Sequence, residues 1–193
     1  MNAVCLLGSP RPNGNSATIA ECFCRAAEDL GIDVQAIALN DLSYSGCQGC
    51  MACKTGSDKC VIRDDLTAVL KAIHAADVLV LATPVYYTDV TSQLKAFIDR
   101  TFGYLEPDFT TNPKPSRLSP GRTLVFIQTQ GFADESLYAD IFGRYEYFFK
   151  VYGYDKTYLI RACGVSAPGE VTSRKQVMQR AKEIAQEIAT RAG

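Results

Sequence analysis

The chain has 193 residues, enough for one domain with a full core and short of the roughly 250 at which chains usually divide. Its 20 basic and 21 acidic residues leave a net charge of -1, and no polybasic run forms, which argues against a nucleic-acid partner. No apolar stretch approaches the roughly 20 residues of a membrane span, and no leader pattern opens the chain, so a cytoplasmic location and reduced thiols are expected.

In chain order, Val4 to Leu7 reads as a buried strand, and Ala20, Phe23, Ala27 and Leu30 follow at helical spacing on a segment ending near Gly31. Val34 to Leu39 is the second expected strand. Leu66, Val69, Leu70 and Ile73 mark a second helix, and Val78 to Ala82 a third strand. Leu94, Phe97 and Ile98 line a third helix, Thr123 to Ile127 a fourth strand, and Ser136 to Val151 a helix rich in Tyr and Phe. Tyr158 to Ala162 is the fifth strand. In the last helix Ser173 and Gln176 have capping-box spacing, and Val177, Ala181, Ile184 and Ile188 share a face. Alternating strands and helices predict a doubly wound, five-stranded parallel sheet with helices on both faces. That is a three-layer α/β/α single domain over residues 1–193.

Two connections are longer than this plan needs. A cysteine-rich loop at about residues 40–63 separates the second strand from the second helix, and Gly103 to Arg122 carries Pro107, Pro113, Pro115 and Pro120. Loops beyond about 15 residues in a compact domain tend to be functional. The second reads as a lid, a subunit contact or a plain surface excursion.

Ligands of doubly wound sheets bind where loops at the carboxyl ends of the strands converge. After the first strand, Gly8-Ser9-Pro10-Arg11-Pro12-Asn13-Gly14-Asn15-Ser16 supplies hydroxyls, amides and one arginine at a helix start, with no carboxylate. Such a nest suits a phosphate monoester. The alternative is a polar turn in which Asn15 or Ser16 serves only to cap the helix. The loop has neither a dinucleotide G-x-G-x-x-G nor a P-loop lysine. After the third strand, Thr83-Pro84-Val85-Tyr86-Tyr87-Thr88 offers an apolar wall for a flavin ring, with Thr88 placed to cap the next helix. After the fourth, Thr129-Gln130-Gly131 offers small and polar groups for its other side.

These segments resemble the NAD(P)H-dependent FMN reductase branch of the flavodoxin-like superfamily, over nearly the whole chain. Cys47-x2-Cys50-x2-Cys53-x6-Cys60 further resembles the compact motif of the iron-sulfur flavoproteins. The resemblance implies a flavodoxin-like fold, with Ser9, Arg11, Asn13, Asn15 and Ser16 on the FMN phosphate and Pro84, Val85, Tyr86 and Tyr87 on the isoalloxazine. It adds Thr129, Gln130 and Gly131 to the ring site, and implies Cys47, Cys50, Cys53 and Cys60 as ligands of a [4Fe-4S] cluster. It also implies NAD(P)H as a transient co-substrate or ferredoxin as donor, small-molecule acceptors, and a homodimer or homotetramer; Gly103–Arg122 and the aromatics around Tyr145, Tyr147 and Phe148 are the candidate contacts, the alternative being that those aromatics are buried within the monomer.

On chemistry alone, three thiolates at successive spacings of three can wrap one face of a cubane. Zinc fits less well, because structural zinc favours two separated knuckles. Thiol redox chemistry remains open, with Lys54 and Lys59 nearby to lower a thiol pKa. Cys5, Cys22, Cys24 and Cys163 fall in strand or helix patterns and read as core. His74, the single histidine, leaves Ser-His-Asp chemistry without its centre, and Asp64-Asp65 suits a helix start. The expected function is an FMN-dependent oxidoreductase in which the flavin, and no side-chain acid or base, carries the chemistry. The alternatives are an NAD(P)H:FMN or quinone reductase without a cluster, and a non-catalytic flavodoxin-like or zinc-stabilised binding module.

Overall fold

The computed structural model describes residues 1–191. Five strands, β1 (Asn2–Leu7), β2 (Asp33–Ala38), β3 (Val78–Pro84), β4 (Thr123–Gln130) and β5 (Lys156–Cys163), form one parallel sheet in the order β2-β1-β3-β4-β5. The helices are α1 (Asn15–Asp29), α2 (Ala52–Thr55), α3 (Leu66–Ala75), α4 (Ser92–Arg100), α5 (Asp140–Val151) and α6 (Lys175–Ala189). The strand order is that of the flavodoxin-like fold expected from the sequence. No helix among the described residues is long and apolar enough to cross a membrane.

Alternation along the strands divides the core into two layers. Ala3 and Cys5 of β1, Val78, Val80 and Ala82 of β3, and Val125 and Ile127 of β4 pack beneath α1 and α6. Their neighbours Val4, Leu6, Leu79, Leu81, Leu124 and Phe126 face α3, α4 and α5. Both faces of β3 and β4 are therefore covered, which is why these strands are continuous apolar runs. The edge strand β2 is mostly exposed or half-buried and carries a weaker signal. Cys5 and Cys24 are buried, whereas Cys22 and Cys163 are only partly so.

Several boundaries differ from expectation. Helix α5 begins at Asp140, because Ser136 to Ala139 form a turn. Ser173 caps nothing: its hydroxyl donates to the Glu170 carbonyl at 2.8 Å in a short 3-10 turn, and α6 starts after Arg174. Thr91, not Thr88, caps α4 by accepting the Leu94 N–H. Thr88 instead follows Tyr87 in a tight turn where both have positive φ, 71° and 47°. The excursion after α4 is held to the body by a Leu105–Ser116 bridge and the buried Tyr104 and Leu118, while Pro107, Asp108, Pro113 and Lys114 between them are exposed.

Candidate functional site

The crossover from β1 to β2 and that from β3 to β4 run in opposite directions, which opens a crevice at the carboxyl ends of β1 and β3. A cavity of about 190 Å³ occupies it. Ser9, Arg11, Gly14, Asn15 and Ser16 line one end, and Pro84, Val85 and Tyr86 with Thr129, Gln130 and Gly131 line the rest. Three segments far apart in sequence thus meet as expected. Asn13 and Tyr87 stand outside this lining. Tyr87 is fully exposed at the tip of its turn, beside an adjoining open pocket.

The β1–α1 loop is built for an anion. Gly14 holds the position before α1 and no side chain caps the helix, so its first N–H groups remain as donors. Asn15 does not cap; its Nδ2 donates to the Ala167 carbonyl at 3.0 Å and its Oδ1 accepts from the Val171 N–H at 3.1 Å. It ties the loop after β5 to the β1–α1 loop. Ser16, 1% exposed, has a hydroxyl with no partner in the protein. Leaving such a group buried costs on the order of 1–3 kcal/mol, which a ligand oxygen would offset. Ser9 Oγ accepts the Arg11 N–H, and Arg11 Nη1 donates to the Ser166 carbonyl at 3.1 Å, so the loop's one cation is held over the cavity. A Cβ on Gly14 would lie 2.8 Å from Ser9 Oγ, which is the close approach that reserves this position for glycine. No carboxylate lines the cavity. The residues present fit a phosphate ester.

At the ring end, Val85 N–H donates to the Thr129 carbonyl at 2.7 Å, locking the β3 and β4 loops together. Gln130 has an internal role: its amide donates to the Phe132 and Asp134 carbonyls and accepts from Arg161. Its contribution to the cavity is therefore position and backbone. Val165, Ser166 and Pro168 complete the lining from the loop after β5. They carry no charged side chain, and the Pro168-Gly169 pair, with Gly169 at a positive φ of 82°, was the local sign of a turn there.

The cysteine-rich loop makes a second cavity of about 60 Å³, lined by Cys47, Cys50, Cys53 and Cys60 together with Gly49, Met51, Val61, Ile62, Arg100, Phe102 and Gly103. All eight cysteines are free. Among the described residues, no group of three or more His, Cys, Asp or Glu could hold a single metal ion. The four loop cysteines instead ring a small space, an arrangement suited to a polynuclear group bound by thiolates. Gly103 backs this wall; a Cβ there would come within 3.2 Å of the Cys60 nitrogen.

Three cations hold the loop in place. Lys54 Nζ donates to the Phe102 and Leu105 carbonyls at 2.7 and 2.6 Å and lies 4.3 Å from the Phe102 ring centroid. Burial lowers its pKa from the ordinary lysine value, against the opposing pull of Cys53. Arg117 donates to the Cys53 and Gly103 carbonyls and pairs with Glu106. Arg100 forms a two-pronged pair with Asp64. Burial alone would raise the Asp64 carboxyl, but Arg100 and the N–H groups of Ser45 and Leu66 outweigh it and hold the pKa below the ordinary value. Asp64 also accepts the Leu66 N–H at 3.1 Å at the start of α3, where the preceding residue Asp65 makes no side-chain cap. His74 is exposed on α3 and lines neither cavity.

The two cavities are joined by α4. Thr91 at its start donates to the Gly8 carbonyl at 2.6 Å, while Arg100 at its end holds the cysteine loop. Nine residues of helix correspond to roughly 14 Å.

Comparison with known proteins agrees with this architecture. Residues 1–139 match the family model for NADPH-dependent FMN reductase. Iron-sulfur flavoproteins of Archaeoglobus fulgidus and Methanocaldococcus jannaschii are 36% and 38% identical over 104 and 101 residues, or 54% and 52% of this chain. Those matches cover 47% and 52% of the relatives, so the chain aligns with about half the length of each. An FMN-dependent NADH-azoreductase from Bacillus anthracis, solved with FMN, superposes over 100% of this chain and 99% of its own with a TM-score of 0.71 and 19% identity. An NAD(P)H:quinone oxidoreductase from Methanothermobacter marburgensis covers 97% and 96% with a TM-score of 0.73 and 17% identity; at these identities the likeness shows the fold. By fold and by sequence match, the chain belongs to the NADPH-dependent FMN reductase family.

Proposed function

We propose that this protein is an FMN-dependent oxidoreductase that passes electrons between a reduced donor and a small-molecule acceptor through FMN and a [4Fe-4S] centre. The observation that carries it is the pair of cavities set at opposite ends of α4, one an acid-free nest of donors and the other ringed by four cysteines. The curated relatives named iron-sulfur flavoprotein support the same reading.

Ser9, Ser16, Arg11 and the first N–H groups of α1 would hold the FMN phosphate. Pro84, Val85 and Tyr86 would wall the ring, and Thr129 and Gly131 would bound its other side. Cys47, Cys50, Cys53 and Cys60 would hold the cluster. Bound FMN accepts a hydride and releases electrons singly, and a cluster beside it handles single electrons. The protein's contribution is to bind, orient and keep water from the ring. This cavity's lining has no carboxylate, histidine or lysine, and no side chain is assigned a proton-transfer role. NAD(P)H or ferredoxin is the proposed donor. Tyr147 and Phe148 of α5, 65% and 55% exposed, support a homodimer or homotetramer in which they are covered.

The experiment is replacement of all four loop cysteines by serine. FMN should stay bound with its affinity unchanged, while electron flow from reduced ferredoxin to an acceptor is lost. Undiminished flow would instead support a cluster-free reductase.

A further inference from the structure

Arg100 ends α4 with its side chain fully withdrawn from solvent. A guanidinium carries five N–H donors. Nη1 donates to the Ser45 carbonyl at 2.9 Å and to Asp64 Oδ2 at 2.8 Å; Nη2 donates to the Ile62 carbonyl at 3.1 Å and to Asp64 Oδ1 at 3.3 Å. These bonds use every Nη hydrogen. Ser45 and Ile62 lie just outside Cys47 and Cys60, so one side chain pins the chain at both ends of the cysteine run.

The remaining donor, Nε–H, is buried and has no partner. Arg100 is the one cation lining the cysteine-ringed cavity, since the charged ends of Lys54 and Arg117 are turned to carbonyls and to Glu106. Cys60 lines the same cavity as Arg100.

We propose that Arg100 is the positioning residue for the group held by the four cysteines, donating its Nε–H to a sulfur of that group. The proposal rests on the cluster half of the function proposed above. A charge-assisted hydrogen bond to sulfur stabilises the more negative, reduced state, so Arg100 raises the reduction potential while it orders the loop. Lysine keeps the charge but lacks the planar fork, so it cannot hold both loop ends and the sulfur together.

The test uses whole protein reconstituted with iron and sulfide without air. In protein labelled with 15N-arginine, pulsed electron paramagnetic resonance of the reduced cluster should show a 15N coupling together with an exchangeable proton. Arg100→Lys should bind FMN with unchanged affinity and flavin potential. Its cluster should be about tenfold easier to keep oxidised, a downward shift of about 59 mV for a one-electron couple. An exchangeable proton without nitrogen coupling would mean that water occupies the space and would overturn the proposal. So would an Arg100→Lys protein with unchanged cluster potential and iron retention. If the variant does not fold, the labelled wild-type protein decides alone. A wild-type protein that takes up no iron would remove the cluster reading and this inference with it, whereas iron uptake without the coupling would remove this inference only.

Discussion

Thr91 Oγ1 donates to the Gly8 carbonyl at 2.6 Å while accepting the Leu94 N–H at 3.3 Å, so one buried hydroxyl both starts α4 and fastens the loop facing the flavin cavity. Thr91→Ala removes the cap and leaves the Gly8 carbonyl without this donor. A loss of about 2 kcal/mol is expected in urea unfolding, with Thr91→Ser restoring most of it. An unchanged midpoint would show that the loop is fastened elsewhere.

Ser16 gives a sharper separation of binding from folding. Its hydroxyl is buried and unpartnered, so Ser16→Ala should leave the apoprotein as stable as the wild type or slightly more so. FMN affinity should fall roughly tenfold, about 1.4 kcal/mol, while riboflavin, which has no phosphate, binds equally to both proteins. Flavin fluorescence quenching measures both. Equal losses for the two ligands would place Ser16 away from the phosphate.

Asp64 predicts a pH dependence. Its folded pKa is held below its ordinary value by Arg100 and two N–H groups, despite burial. Its contribution is therefore complete above the ordinary carboxylate value of about 3.9 and is lost as pH falls below it toward the depressed folded value. Asp64→Asn should destabilise the protein by on the order of 3 kcal/mol near neutrality, because it leaves Arg100 buried without its counter-charge. The stability gap between the two proteins should narrow only below about pH 4. A gap that does not change with acidification would contradict this assignment.

The sheet was legible because β3 and β4 are buried on both faces and read as unbroken apolar runs, and because each crossover helix repeats apolar residues at helical spacing. That the β1–α1 loop lines the cavity was legible from its hydroxyls, amides and lack of acids at the end of the first strand. Asn15 and Gln130 were harder to place, since an amide lining a cavity and an amide bracing a loop look the same in sequence; both prove to be braces. Arg100 was missed because a cation in a helix's last turn reads as a solvated partner of the helix dipole. Its spacing of three from Phe97 and six from Leu94 was the available signal, for that places it on the buried face, where a charge requires a partner. The loop after β5 was missed for a different reason: it lends the cavity no charged side chain, and the Ser166 and Ala167 carbonyls that hold Arg11 and Asn15 leave no mark in the sequence.

The central claim is that one chain carries both cofactors, and the most direct measurement is the absorption spectrum of anaerobically purified protein with iron, sulfide and flavin determined on the same sample. The account predicts superposed flavin and iron-sulfur absorption with about four iron and four sulfide for each FMN. A colourless preparation that takes up neither flavin nor iron when they are supplied would contradict it.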